Sequence, residues 1–140
     1  LCPLILASCS LPFRRRPPPP GRTTLKSPLV ELPAQNIGNF LLLETKWDRN
    51  GPYRFLIDTG SSVTLVTPAL AKRYPVTSGP PPNAPRVRMM AAEGHVTELQ
   101  PAWLKRLELG DAHFDDVPVL VSDLTAFSSH LGVRIAGCRK

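Results

Sequence analysis

Short apolar runs, separated every few residues by glycine, proline, asparagine or aspartate, constrain the fold of this 140-residue chain more than any other feature. The clearest break is Asp48-Arg49-Asn50-Gly51, between the apolar runs 40–46 and 53–58. Asn-Gly favours a tight hairpin because both residues tolerate positive φ. We therefore predict that the two runs are paired strands and that the domain is mostly β.

The remaining breaks divide the chain into further short elements. Thr67-Pro68 predicts the start of a helix over 69–74, since the hydroxyl can cap free amides and proline fits the first helical position. A second short helix is expected at 124–130. Pro118 indicates a sheet edge or a bulge, because proline cannot donate a ladder hydrogen bond. The other predicted strands are 63–66, 86–91, 96–100, 104–109 and 114–121.

Residues 1–28 differ in composition from the rest of the chain. They hold seven of the seventeen prolines and five of the six net positive charges. We predict a disordered, basic, proline-rich linker here and one domain over 29–140. The basic segment favours anionic surfaces such as membrane headgroups. No basic-aromatic pattern recurs in the domain, so nucleic acid is not an expected partner.

The cysteines and histidines are too scattered for a disulfide framework or a metal site. The three cysteines are Cys2, Cys9 and Cys138, and the three histidines have no ligand-spaced neighbours. The sequence therefore predicts neither a metal nor another cofactor.

The first residues form an apolar segment that ends in Leu6-Ala7-Ser8-Cys9. This tetrapeptide resembles the lipobox of bacterial lipoproteins, which implies an acylated Cys9 and a bacterial cell-envelope location. The alternative is a leftover apolar fragment with an incidental cysteine. Because a starting methionine and a charged leader are missing, we expect a truncated signal segment.

A single acid lies between two apolar runs in Phe55-Leu56-Ile57-Asp58-Thr59-Gly60-Ser61-Ser62. The plain interpretation is a β-turn in which Asp58 caps the Gly60 or Ser61 amide. With the hairpin before it and the Pro-started helix after it, however, the segment resembles the catalytic loop of retropepsin-like aspartic peptidases of the bacterial single-lobed type. The resemblance covers roughly 29–137 and includes the hairpin around Gly110. It implies a single-lobe acid-protease barrel with one short helix after the catalytic loop.

The resemblance also implies a role for each residue of the loop. Asp58 would be the catalytic acid, one of two carboxyl groups that share a proton and activate water. Thr59 would bond the opposite loop, and Gly60 would let the backbone approach the carboxylate. Ser61 would donate a hydrogen bond to Asp58. Since the chain has one such loop, the enzyme would be a homodimer that cleaves peptides or proteins.

Two further expectations follow from the resemblance. A flap over bound peptide would lie at 89–96, with Ala92, Glu93 and Gly94 at its tip. The alternative for Met89 and Met90 is simple core packing.

Near the carboxyl end, Ala136 occupies the family's usual Asp position and Gly137 matches, but Ile-Leu-Gly is missing. We therefore expect a domain that is incomplete there and lacks the strand that supports the loop. This departure favours a second hypothesis, a non-catalytic peptide- or protein-binding β module, or an inactive fragment, on a lipid-anchored stalk.

Overall fold

The computed structural model describes residues 20–90 and 94–139, and these residues form a mostly β structure. The mostly β prediction is confirmed. The strands are β1 (Arg22–Leu25), β2 (Ala34–Ile37), β3 (Phe40–Trp47), β4 (Asn50–Ile57), β5 (Leu65–Val66), β6 (Val87–Met90), β7 (Val96–Leu104), β8 (Leu107–Leu109), β9 (Ala112–Asp115), β10 (Val117–Val121) and β11 (Gly137–Arg139). The helices are α1 (Pro68–Arg73) and α2 (Thr125–Leu131).

The strands form one curled sheet in the order β1-β9-β8-β3-β4-β11-β5-β10-β7-β6, with β2 added beside β3. Most neighbours are antiparallel, but β11 runs parallel to β4 and β10 runs parallel to β5. The last described strand therefore lies in the middle of the sheet, between two strands from the first half of the chain. The open sheet fits the expected single-lobe barrel.

Two apolar cores lie on the two faces of β4, because successive side chains of a strand point to opposite faces. Phe55 packs in the larger core with Trp47, Leu104 and Leu107. Leu56 packs in the smaller core, which also contains Leu42, Leu124, Ile135 and Cys138. Phe55 and Leu56 are fully buried. The carboxyl end of β4 is consequently held from both sides.

The predicted β3–β4 hairpin is confirmed, but its turn lies at Asp48-Arg49 and not at Asn50-Gly51. Asp48 has φ 48° and Arg49 has φ 68°, while Asn50 already pairs with Trp47 across the hairpin. Bonds from outside the turn support these left-handed residues. The Asp48 amide donates to the Arg106 carbonyl at 2.7 Å, and the Arg49 amide donates to the Glu108 carboxylate at 3.0 Å.

The structure differs from the sequence prediction near the amino end of the described residues. Residues 22–25 fall in the segment expected to be disordered, yet they form β1, which pairs with β9 in the register Thr23↔Phe114. Every side chain of β1 is exposed. Because no residue of β1 is buried, the sequence has no apolar–polar alternation that could predict a strand. The strand forms because the edge of β9 has free backbone groups with which it can pair.

Both short helices lie where the sequence predicted them. The Thr67 hydroxyl caps α1 by accepting from the Leu70 amide at 3.4 Å, and Pro68 takes the first helical position. Leu70 is buried against the larger core. The α2 helix ends at Gly132, which has φ 67°.

The predicted strand over 114–121 is wrong as one element, because Asp116 interrupts it. Asp116 has φ 51°, so β9 ends before it and β10 begins after it. Pro118 is tolerated because its nitrogen faces the same side as the Leu120 amide, which donates to the Thr64 carbonyl. On that side, the pairing with β5 includes only Leu120 and Val121. Pro118 has no β5 partner there, so its lack of an N–H group costs no ladder hydrogen bond.

Candidate active site

Asp58 directly follows β4 and is half-buried at the point where the chain leaves the sheet. Its amide donates to the Arg139 carbonyl at 2.8 Å. Arg139 belongs to β11 and lies opposite Ile57 in the parallel register. The backbone of the candidate catalytic residue is therefore fixed to a central strand of the sheet.

The loop after Asp58 closes as a tight turn on its own carboxylate. The Gly60 amide donates to Asp58 Oδ1 at 2.9 Å, and the Ser61 amide donates to the Asp58 carbonyl at 3.2 Å. A Cβ added at Gly60 would lie 3.3 Å from Oδ1, so glycine gives the carboxylate its space. The plain turn and the catalytic-loop interpretation both predict this amide–carboxylate bond, and it does not separate them.

The expected hydrogen bond from Ser61 to the Asp58 carboxylate is wrong for this conformation of the single chain. The Ser61 hydroxyl donates to the Val63 carbonyl at 2.8 Å and accepts from the Val63 amide at 3.3 Å. Serine hydroxyls often satisfy nearby backbone groups in this way. Thr59 is exposed, as a residue that reaches another loop must be.

The supporting strand that we expected to be missing is supplied by β11. Gly137 pairs with Phe55 on one side and with Val66 on the other. A Cβ at Gly137 would collide with the Phe55 ring and with the Leu65 carbonyl. The segment is also tied at its start, where the Ala136 amide donates to the Arg54 carbonyl at 2.8 Å. Gly137 was the one sequence signal for this strand, since a glycine inside a strand marks close backbone approach.

Cys138 is a buried thiol in the smaller core, close to the catalytic loop. Burial, and then the negative charge of Asp58, raise the pKa of Cys138 to about 11. A thiol with this pKa is protonated at neutral pH and is therefore a weak nucleophile. We assign Cys138 to packing and not to chemistry.

Arg139 was missed by the sequence analysis, and it touches Asp58 through its backbone. Its guanidinium lies 4.4 Å from the centroid of the Phe114 ring. Burial lowers the pKa of Arg139, and its Nη1 atom is buried with no hydrogen-bond partner among the residues described. No pattern in Gly-Cys-Arg predicts this arrangement, because the contact joins residues that are distant in sequence.

The predicted flap corresponds to the β6–β7 hairpin. Met90 pairs with Val96 at its outer end, and Gly94 has φ 84° with open space around it. Ala92 and Glu93 lie outside the described residues. Met90 is 65% exposed, so core packing does not explain it. Val96 is exposed opposite Met90 on the same face of the hairpin, beside the Arg88–Glu98 pair, whereas exposed Val87 lies on the other face.

Within 20–90 and 94–139, no group of three or more His, Cys, Asp or Glu side chains could hold a metal ion. In the same ranges no helix has the length and apolar character needed to cross a membrane. Cys9 lies outside the described residues.

A family model described as aspartyl protease matches residues 44–138, which is about two thirds of the chain. The match contains Asp58, the loop that follows it and the first two of the three residues of β11. The chain belongs to the aspartyl protease family. Comparison with curated proteins and with solved structures found no match. In this aspartyl protease domain the Asp58 loop follows a strand end whose backbone is anchored to β11.

Proposed function

We propose that this protein is a homodimeric aspartic endopeptidase in which each subunit contributes Asp58. One observation carries the proposal: Asp58, within the segment that matches the family, directly follows the central strand β4 and is held by the Arg139 carbonyl and the Gly60 amide. A half-buried carboxylate on a fixed backbone meets the geometric need of a catalytic acid.

The reaction requires two carboxyl groups that share one proton. The charged carboxylate takes a proton from a water molecule while the protonated one polarises the scissile carbonyl. The water oxygen then bonds to the carbonyl carbon, the C–N bond breaks, and the leaving nitrogen receives a proton. Titration belongs to the pair and not to either residue alone.

In this proposal the second carboxylate comes from a second copy of the chain, because these 140 residues contain one Asp-Thr-Gly sequence. Two surface grooves of the described residues are lined by residues other than Asp58. A two-fold axis beside Asp58 would create a cleft between the two acids. The exposed Thr59 side chain would then bond the loop of the other subunit.

The substrate would be an extended peptide segment beneath the β6–β7 hairpin. Gly94 lies in that hairpin with positive φ and open space, so the hairpin can bend there. The exposed side chains of Met90 and Val96, which pair on one face of the hairpin, would face apolar substrate residues or the partner subunit.

For localisation we propose a bacterial cell envelope, with an acyl chain on Cys9 and a proline-rich spacer before the domain. The support is the Leu6-Ala7-Ser8-Cys9 sequence and the basic segment after it. Acyl-chain labelling that is lost in Cys9→Ser is the measurement that tests this anchor, and an unlabelled native protein removes it.

Substitution of Asp58 by asparagine tests the proposed reaction. Asp58→Asn keeps the size of the side chain but removes the shared proton, so we expect peptide cleavage at acid pH to fall by at least about a thousandfold. The circular dichroism spectrum should not change. Asp111→Asn is the matched control, because Asp111 is exposed in a weak surface pair with Lys26. Cleavage that persists in Asp58→Asn excludes the mechanism.

A non-catalytic peptide-binding module is the second candidate, favoured by one observation. Strand β6 lies at the end of the sheet with Met90 exposed, and a free strand edge can pair with an extended peptide without cleaving it. Under this function the native protein and Asp58→Asn would bind a peptide equally, and neither would cleave it.

A further inference from the structure

Arg139 is restrained less by the sheet than the other residues of β11. Gly137 and Cys138 each pair with β4 on one side and with β5 on the other. Arg139 pairs with β4 alone, because the register with β5 ends at Cys138↔Leu65. Yet it is the Arg139 carbonyl that accepts from the Asp58 amide. The residue that holds the candidate catalytic backbone thus has strand pairing on one side.

The Arg139 side chain supplies a second restraint. Its guanidinium lies 4.4 Å from the Phe114 ring centroid, within the range of a cation–π contact. Phe114 is in β9, which is separated from β11 by three strands in the sheet order. The contact therefore crosses the inside of the curled sheet. Phe114 is itself well fixed, since it pairs with Leu107 of β8 and with Thr23 of β1.

This side chain is a poor choice for stability alone. The Nη1 atom is buried without a hydrogen-bond partner among the described residues, and burial of a charged group without a partner is unfavourable. An apolar side chain would cover Phe114 without that desolvation. What arginine offers instead is a preferred geometry. Its flat guanidinium packs on the ring face at a defined distance, and this contact restrains the position of the strand end.

We propose that Arg139 is a positioning residue: its stack on Phe114 fixes the carbonyl that holds the Asp58 backbone. Arg139 acts through the main chain and does not touch substrate. Its effect on catalysis rests on the proposed peptidase function, but its effect on the Asp58 backbone does not.

Hydrogen exchange of single amides tests the proposal without any need for activity. In Arg139→Ala we expect the Asp58 amide to exchange at least about ten times faster, while the Ala136 amide at the other end of the segment changes less than about twofold. Phe114→Leu, which removes the ring but keeps an apolar side chain, should give the same result. The double variant should add little to either single one, because both remove the same contact. Arg139→Lys should restore part of the protection.

Arg134→Ala is the matched control, since Arg134 is exposed in the same segment and its loss leaves the stack intact. An unchanged Asp58 amide in Arg139→Ala would overturn the proposal. So would a uniform acceleration of all core amides, because that pattern means general destabilisation.

Enzyme kinetics give the second readout. If the native protein cleaves peptide, Arg139→Ala should lower kcat by about tenfold or more and leave KM within about twofold, because a misplaced acid slows the reaction more than it weakens binding. A rise in KM with unchanged kcat would contradict the positioning role. An inactive native protein would reject the proposed function, and the exchange of the Asp58 amide would still decide the role of Arg139.

Discussion

At the scale of single residues, Gly137, Cys138 and Arg139 each fit the interior by a different property. Gly137 leaves room for the Phe55 ring, Cys138 is a small apolar group at neutral pH, and Arg139 places a flat cation on Phe114. None of the three residues has a strong preference for strands. The residues of β11 therefore suit their packing environment in the folded protein, and their intrinsic strand propensity does not explain them.

The Cys138 thiol predicts a loss of stability at alkaline pH. Its pKa rises from 9.0 to about 11 on folding, so the fold favours the neutral form. This contribution is fully present below pH 9 and is lost as the pH rises from 9 toward 11. The free energy of unfolding should fall by up to about 3 kcal/mol over this range.

Chemical denaturation of the native protein and of Cys138→Ala at pH 8 and pH 11 measures this effect. We expect the alanine variant to lose less stability across the range. Tyr74, whose pKa burial and the Tyr53 hydroxyl raise to about 12, contributes equally in both proteins. Equal losses in the two proteins would contradict the assignment to Cys138.

At the scale of elements, β11 determines how the candidate site is supported. It joins β4 and β5, and its three residues take part in the backbone ladder on the parallel side. The helix α1 is tied to the same segment, because the Thr67 amide donates to the Ala136 carbonyl at 3.0 Å. A short strand thus connects the loop, the helix and both cores.

Gly137→Ala should disrupt this insertion. The new Cβ would overlap the Phe55 ring and the Leu65 carbonyl, and a backbone atom cannot move aside easily. We expect a loss of about 3 kcal/mol or more in the free energy of unfolding. Gly132→Ala is the matched control, because open space surrounds Gly132 and only its positive φ opposes a side chain, at about 1 kcal/mol. Similar losses in thermal or denaturant melts of the two variants would show that β11 is not tightly inserted.

Elements with a local signal could be predicted from the sequence. The β3–β4 hairpin and α1 were found because alternating apolar runs, a capping threonine and an N-terminal proline act over a few residues. The turn position was wrong because bonds from Arg106 and Glu108, which are distant in sequence, favour Asp48-Arg49. Strands β1 and β11 were missed because their pairing partners, and not their own residues, make them strands.

The same distinction applies within the site. The sequence predicted a turn in which Asp58 caps a following amide, because the Asp-Thr-Gly turn is local, and the Gly60 amide donates to the Asp58 carboxylate in the structure. Ser61 was assigned the wrong bond because the nearer Val63 carbonyl competes for its proton. The contact between Arg139 and Phe114 joins two distant strands, so no spacing in the sequence could indicate it.

At the scale of the whole molecule, one chain carries half of the proposed catalytic pair. The sheet brings Asp58 to the end of a strand held by two cores, and two grooves on the described residues are lined by other side chains. Activity should therefore depend on the state of association as well as on Asp58 itself.

A mixing experiment tests this dependence. At constant total concentration, random exchange of native subunits with an equal amount of Asp58→Asn subunits leaves a quarter of the dimers with two carboxylates. We expect the activity to fall to about one quarter of the native value, because each dimer needs both acids. Mixing with Asp111→Asn should leave the activity unchanged. A fall to one half would mean that each subunit works alone.

Because β11 follows Asp58 by about 80 residues in the sequence, its central place in the sheet also affects the order in which the candidate site is completed during synthesis. Asp58 leaves the ribosome long before residues 137–139, and at about 5–20 residues per second the interval lasts several seconds. During that interval the loop lacks the carbonyl that holds its backbone. Under the proposed function, a nascent chain would therefore lack its anchored acid until the last described strand has been made.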